Sequence, residues 1–191
     1  MKIGIFSGSF NPIHIGHIIL ANHVVENTDI EEVWFLVTPR NPLKEESLLL
    51  CESERLRMVE LAVAPYEKMK ASDFEFSLPR PSYTIDTLKA LEENFSDDEF
   101  VMIIGSDNWC GISSWKDYEE ILKQFKVLVY PRLDYQIAIP KKLRSTVEAL
   151  DSPVVEISSS LIREELREEK NVRPFLPVEV YEYIKEKNLY R

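Results

Sequence analysis

The sequence is poor in cysteine, in basic residues and in long apolar runs, and each shortage excludes a class of protein. Its two cysteines, Cys51 and Cys110, form no CxxC pair. We therefore expect no disulfide framework, and we expect a reduced, cytoplasmic setting. The 23 basic residues against 33 acidic ones give a net charge of −10, which argues against nucleic acid as the main partner. No apolar run could span a bilayer, and the first residues lack the apolar core of a signal peptide. We therefore expect a soluble protein that binds neither nucleic acid nor membrane.

Apolar runs alternate with helical patterns along the chain, as expected for βαβ units around a parallel sheet. The pattern predicts strands over residues 3–6, 32–37, 70–76, 100–104, 127–130 and 154–157. It predicts helices over residues 18–25, 53–64, 83–95, 115–125, 141–150, 161–168 and 178–187. With no internal repeat or linker, the sequence indicates an α/β fold: one domain over residues 1–191, with a doubly wound parallel sheet and a C-terminal helical part from about residue 158.

The most informative segment is the turn that follows the first predicted strand. Residues 8–17 read GSFNPIHIGH and lead into a predicted helix. Gly8 and Gly16 lack a Cβ, so the backbone can approach a ligand closely. A strand, a glycine-bearing turn and a helix together present backbone N–H groups to a phosphate. His14 and His17 straddle the helix start, where the helix dipole favours anions. The segment therefore predicts phosphate chemistry as well as phosphate binding.

Most of the polar and cationic loop residues follow the ends of predicted strands, in segments 7–17, 38–44, 105–109, 131–132 and 158–163. Because ligands bind at the carboxyl ends of strands in such sheets, we expect one site there. A zinc site built from His14, His17 and His23 is the alternative, but no carboxylate or cysteine is placed to complete the ligand set. A GxGxxG motif is absent, which disfavours a dehydrogenase.

Two separated motifs resemble those of the nucleotidyltransferase superfamily that carries an (H/T)xGH signature. Residues 14–17, His-Ile-Gly-His, match the first motif, and residues 157–163, Ile-Ser-Ser-Ser-Leu-Ile-Arg, match the second, ISSTxxR or SSSxxR. The resemblance implies a Rossmann-like nucleotidyltransferase fold.

Further segments resemble the bacterial nicotinate-nucleotide adenylyltransferase family over essentially the whole chain. These are PSYTIDTL at residues 81–88, IIGSD at 103–107, Trp115, and the stretch from Leu176 to Tyr190. The chain departs from the family at Asn11, where aspartate is common, and at residues 41–44, Asn-Pro-Leu-Lys, where the family has a PPHK-type loop. Residues 130–135 replace an ARPGY-type segment and keep its arginine, Arg132.

The resemblance implies adenylyl transfer from ATP to nicotinate mononucleotide, which yields deamido-NAD and pyrophosphate in NAD biosynthesis. It implies catalytic roles for His14, His17, Lys44 and Arg163, with Mg²⁺ held by the nucleotide phosphates rather than by the protein. It assigns ATP binding to Gly8, Ser9, Phe10, His14, His17, Gly105, Asp107, Ser158, Ser159, Ser160 and Arg163. Three serines before a helix are also an ordinary N-cap pattern, and capping is compatible with phosphate binding.

The resemblance assigns the acceptor to Lys44, Tyr83, Thr84, Asp107, Trp115 and Arg132. Arg40 is the alternative to Arg132 as the clamp on the acceptor phosphate, and Trp109 and Tyr118 serve equally well as lining or as core residues. Three rival functions are a phosphopantetheine adenylyltransferase, a nicotinamide-preferring relative and a nucleotide sensor without turnover. The sequence leaves the oligomeric state open, a homo-oligomer included.

Overall fold

The computed structural model describes residues 1–39 and 49–190 of the chain. Within these residues six strands form one sheet in the order β3-β2-β1-β4-β5-β6, and every neighbouring pair is parallel. The strands are β1 (Lys2–Gly8), β2 (Glu32–Val37), β3 (Met69–Ser72), β4 (Glu99–Gly105), β5 (Lys126–Tyr130) and β6 (Val147–Ala149). The α-helices are α1 (Ile15–Asn27), α2 (Glu52–Val63), α3 (Thr84–Asn94), α4 (Ser106–Cys110), α5 (Tyr118–Gln124), α6 (Ser159–Arg167) and α7 (Val178–Lys187).

Helices cover both faces of the sheet, as predicted for a doubly wound fold. Successive residues of a strand point to opposite faces. In β4, Val101 and Ile103 therefore join the core beneath α1, α2, α6 and α7, whereas Phe100, Met102 and Ile104 join the core beneath α3 and α5. Because both faces are buried, the strands read as continuous apolar runs rather than as alternating ones.

The direction of chain winding reverses between β1 and β4, which are neighbours in the sheet although β2 and β3 lie between them in sequence. The loops after these two strands diverge, and a crevice opens at their carboxyl ends. This reversal positions the first turn opposite the segment that follows β4.

Two predicted elements are wrong. The helix predicted over residues 141–150 is a short 3₁₀ turn, Lys141–Leu143, followed by β6. The β-branched Thr146 and Val147 favour the strand, and the Val127 N–H donates to the Thr146 carbonyl to begin the parallel pairing with β5. The strand predicted over residues 154–157 makes no ladder, because β6 already forms that edge of the sheet.

Other boundaries shift by a few residues. The predicted strand over 70–76 ends at Ser72, and a 3₁₀ turn, Phe74–Ser77, follows it. The predicted helix over 115–125 begins only at Tyr118, so Trp115 lies in the connection before α5. Helix α4 was not predicted.

Within the described part of the chain, no helix has the length and apolar character that crossing a membrane requires. Cys51 and Cys110 are free and exposed.

Candidate active site

A cleft of about 730 Å³ lies at the carboxyl ends of β1, β4 and β5. This volume is within the usual range for small-molecule sites. Every described residue that the sequence analysis assigned to ATP or to the acceptor lines it: Gly8, Ser9, Phe10, His14, His17, Tyr83, Thr84, Gly105, Asp107, Trp115, Arg132, Ser158, Ser159, Ser160 and Arg163. Lys44 and Arg40 lie outside the described residues.

The first turn is anchored to the sheet by the side chain of Phe10. Phe10 has a positive φ of 44°, and its ring packs edge-on against Phe6 and tilted against Phe35. A Cβ on Gly8 would lie 3.0 Å from the Phe10 ring, so a larger residue there would press against that ring. The buried phenyl ring therefore anchors the loop that presents the two histidines.

His14 and His17 stack with their ring centroids 3.7 Å apart. The His14 backbone N–H donates to Nδ1 of His17 at 3.2 Å, so a neutral His17 carries its proton on Nε2. His14 is 5 % exposed. Burial, and then the nearby positive charge of Arg132, lower the pKa of His14 to about 3. His14 is therefore uncharged at neutral pH, and its ring can offer a ligand a hydrogen bond but not a full positive charge.

The second motif is tied to the first turn across most of the chain. The Ser159 hydroxyl donates to the Pro12 carbonyl at 2.8 Å, and Nη1 of Arg163 donates to the Asn11 carbonyl at 2.8 Å. Nη2 of Arg163 donates to the Ser160 hydroxyl at 3.2 Å. Ser158 caps α6, because its hydroxyl oxygen accepts from the Leu161 N–H at 3.1 Å. The N-cap interpretation thus holds for Ser158 while all three serines still line the cleft.

Asp107 and Arg132 form an ion pair in the middle of the cleft, with Oδ1 and Nε 3.3 Å apart. The Arg132 guanidinium also donates to the Tyr130 hydroxyl at 3.1 Å and lies over that ring. Gly105 makes this packing feasible: a Cβ there would clash with Asp107 and lie 2.9 Å from Nε of Arg132. The pair leaves one carboxylate oxygen and part of the guanidinium to face a ligand.

The opposite end of the cleft is built around the start of α3. Tyr83 is the N-cap residue and Thr84 the first helical residue, so the initial N–H groups of α3 lack partners within the helix. Trp115 lines the same end, and Nζ of Lys116 lies 4.8 Å from the centre of the Tyr83 ring. This end combines aromatic faces with backbone donors, which suits a planar anionic group.

Two buried ionisable residues were not predicted: Arg55, which lies behind the cleft lining, and Glu75, which is part of it. Arg55 is fully buried, and it donates to four carbonyls, those of Leu50 (3.0 Å), Ser9 (2.7 Å), Thr38 (2.8 Å) and Pro39 (2.9 Å). The signal was available, because Arg55 lies four and seven residues before the buried Val59 and Ala62 on the inner face of α2. Glu75, the second, has no comparable sequence signal.

Unsatisfied buried polar atoms concentrate at the cleft. Among the described residues six buried side-chain atoms have no hydrogen-bond partner, and five of them belong to residues that line the cleft: His14 Nδ1, Thr38 Oγ1, Asp107 Oδ1, Arg132 Nε and Arg163 Nε. Asp107 and Arg132 compensate each other as an ion pair. Buried polar atoms are normally paired, so this concentration indicates a ligand-binding site.

Other candidates lie away from the cleft. His23 does not line it, and its Nδ1 lies 3.4 Å from the Asn27 amide nitrogen on the same helix. Trp109 is buried and donates to the Ala138 carbonyl, and Tyr118 packs on the α3–α5 core. Residues 1–39 and 49–190 contain no group of three metal-ligating side chains.

A doubly wound sheet whose switch point gathers a His-x-Gly-His turn and a Ser-Ser-Ser-x-x-Arg helix start defines a nucleotidyltransferase. The model of the cytidylyltransferase-like family matches residues 5–165. The probable nicotinate-nucleotide adenylyltransferase of Flavobacterium johnsoniae is 46 % identical over all of both chains. That of Bacteroides thetaiotaomicron is 49 % identical over 97 % of this chain and 92 % of the relative. The chain belongs to the cytidylyltransferase-like family and, within it, to the nicotinate-nucleotide adenylyltransferases.

A solved structure shares the fold. It is nicotinic acid mononucleotide adenylyltransferase of Plasmodium falciparum complexed with NaAD, which superposes with a TM-score of 0.82 at 22 % identity. The match covers 99 % of this chain and 97 % of the other.

Proposed function

We propose that the protein transfers the adenylyl group of ATP to nicotinate mononucleotide, forming deamido-NAD and pyrophosphate. One observation carries the proposal: a single cleft joins the two histidines, the serine–arginine helix start, the Asp107–Arg132 pair and the aromatic end at α3. The family membership supports the same reaction. We place the enzyme in the cytoplasm, where its two exposed free cysteines would stay reduced.

In the ATP half of the site, His14 and His17 donate hydrogen bonds to the phosphates. His17 keeps its hydrogen bond to the α-phosphate in the transition state. Because Nε2 carries the His17 proton, that imidazole donates without needing a positive charge. Ser158, Ser159, Ser160 and Arg163 hold the β- and γ-phosphates at the start of α6. Backbone groups of Gly8, Ser9, Phe10 and Gly105 line the nucleotide, and Asp107 accepts from its ribose hydroxyls.

In the acceptor half, Trp115 stacks on the pyridine ring, and Tyr83 and Thr84 supply the donors for its carboxylate. Arg132 clamps the acceptor phosphate from its position beside Asp107. Lys44 neutralises charge that builds up on the phosphates. The 5′-phosphate oxygen attacks the α-phosphorus in line, and the pyrophosphate oxygen leaves with its electron pair.

No protein nucleophile is needed, since this transfer depends on positioning and charge neutralisation. We propose that Mg²⁺ enters with ATP, held by phosphate oxygens and water, which magnesium prefers to protein cages. Bound there, the ion would neutralise negative charge on the phosphates.

The test offers Mg-ATP with nicotinate mononucleotide, nicotinamide mononucleotide or phosphopantetheine and measures pyrophosphate release. Release should be fastest with nicotinate mononucleotide. Faster release with another acceptor would reassign the substrate, and none with any acceptor would favour a nucleotide sensor. His17→Ala should lower kcat by roughly 10²–10³. His23→Ala, on the same helix but outside the cleft, is the matched control and should retain full turnover.

A further inference from the structure

Glu75 is a buried carboxyl group that the proposed mechanism does not use. It lies in the 3₁₀ turn Phe74–Ser77, is 4 % exposed and lines the acceptor end of the cleft. Oε2 accepts from the Ser82 hydroxyl and Oε1 from the Thr87 hydroxyl, both at 3.3 Å. Its two contacts thus flank Tyr83 and Thr84, the residues placed against the acceptor ring.

No described charged side chain offsets a negative charge on Glu75. Among the described residues, the cations on the neighbouring segments are Lys70, Arg80, Lys89 and Lys116, and each is engaged in an ion pair of its own. These pairs are Glu32 with Lys70, Arg80 with Glu52, Asp86 with Lys116, and Lys89 with Glu120. Asp73, directly before the turn, is an anion and cannot offset another negative charge. Hydrogen bonds of 3.3 Å from two hydroxyls are long and compensate an ionised carboxylate poorly.

The Thr87 hydroxyl links Glu75 to the helix start, because its oxygen also lies 3.3 Å from the Tyr83 carbonyl. One hydroxyl proton cannot serve both acceptors fully. A protonated Glu75 can donate to Thr87 Oγ1, which then donates to Tyr83. An ionised Glu75 instead accepts the hydrogen bond from the Thr87 hydroxyl, which then no longer donates to the Tyr83 carbonyl.

We propose that Glu75 is a positioning residue whose protonation state affects which acceptor binds. When Glu75 is neutral, it orders the start of α3 and allows an acceptor with an anionic ring to bind. When Glu75 is ionised, its negative charge disfavours binding of that acceptor. This inference rests on the proposed function, since it concerns the acceptor subsite of that reaction. Burial raises the pKa of Glu75 to about 7, so both forms are populated near neutral pH. A carboxylate bound nearby raises that pKa further, so binding of the nicotinate form takes up a proton.

The experiment measures the KM of nicotinate mononucleotide and the inhibition constant of nicotinamide mononucleotide from pH 6.5 to 8. Both ligands carry the same phosphate, so its titration cancels in the ratio of the two constants. In the wild type, the inhibition constant of nicotinamide mononucleotide divided by the KM of nicotinate mononucleotide measures the preference for the nicotinate form. This ratio should fall by up to about tenfold as the pH rises from 6.5 to 8, since each pH unit above the pKa lowers the protonated fraction about tenfold. The change should appear in KM rather than in kcat.

Glu75→Gln keeps the shape and mimics the neutral arrangement, because its amide can donate to Thr87. We expect this variant to hold the wild-type preference of pH 6.5 at every pH. Ser82→Ala removes one donor to the carboxylate, so it should move the wild-type transition to higher pH. Glu32→Gln is the matched control: it is a buried carboxyl at 5 % exposure, outside the cleft, and should leave the wild-type profile unchanged.

A ratio that does not change with pH in the wild type, or a Glu75→Gln profile parallel to it, would overturn the inference. If Glu75→Gln does not fold, an unshifted transition in Ser82→Ala overturns it alone. Failure of the proposed function is distinct, since it appears as absent turnover of nicotinate mononucleotide at every pH.

Discussion

Replacing Arg55 with methionine tests whether one buried guanidinium holds the loops of the site together. Methionine keeps the apolar length but removes the donors to Leu50, Ser9, Thr38 and Pro39. Each carbonyl that stays buried without a hydrogen-bond partner lowers the free energy of unfolding by about 1–3 kcal/mol. The variant also avoids the desolvation cost of a buried guanidinium, which offsets part of this loss. We expect a net loss of about 4 kcal/mol of unfolding free energy.

Equilibrium urea denaturation measures this loss directly. A protein of this size loses about 2–4 °C in Tm for each kcal/mol, so Tm should fall by about 8–16 °C. Arg57→Met is the matched control, because Arg57 lies on the same helix and, among the described residues, makes only an exposed ion pair with Glu60 at 3.0 Å. It should change stability by less than about 1 kcal/mol. If Arg55→Met were no worse than Arg57→Met, Arg55 would not hold these loops.

Two further predictions concern groups packed within the cleft. Gly105→Ala should lower kcat/KM by about 10²-fold, because its Cβ displaces Asp107 and Arg132. Gly111→Ala, whose Cβ would meet no described atom nearer than 3.8 Å, should have normal kinetics. Equal kinetics in both variants would contradict the packing argument. Folding lowers the pKa of His14 from 6.5 to about 3. Between these two pH values the unfolded chain binds more protons than the folded protein, so the free energy of unfolding decreases as the pH is lowered from about 6.5 towards 3. From pH 7 to 5 the wild type should lose about 2 kcal/mol more than His14→Gln in urea denaturation, and equal losses would show that His14 is charged when folded.

The sequence predicts the parts of the fold that depend on local pattern. The buried runs of β2, β4 and β5 appear where they were predicted, and the two motifs meet at the switch point. The strand β6 was mistaken for a helix because three residues carry too little periodicity to distinguish the two, and pairing with β5 decides the outcome.

The set of residues that line the cleft was predictable where a motif contains them. Residues whose hydrogen-bond partners are backbone groups were much harder to predict. Within residues 1–39 and 49–190, Arg55 donates only to carbonyls, and every residue has a carbonyl, so no residue pattern could identify its partners. Glu75 is set apart from other glutamates by burial and by two hydroxyls seven and twelve residues away. Lys44 was predicted from the family resemblance, and its role stays a prediction.

The first turn is completed by contacts from far along the chain, and this fixes when the site can form. Ser159, Arg163 and Tyr190 reach Pro12 or Asn11 across 147, 152 and 179 positions. Contacts of such separation cannot form before both partners have been synthesised, and closing so long a loop carries an entropic cost. During synthesis on the ribosome, the β1–α1 unit therefore emerges early but cannot bind nucleotide as the finished protein does until α6 and α7 have followed.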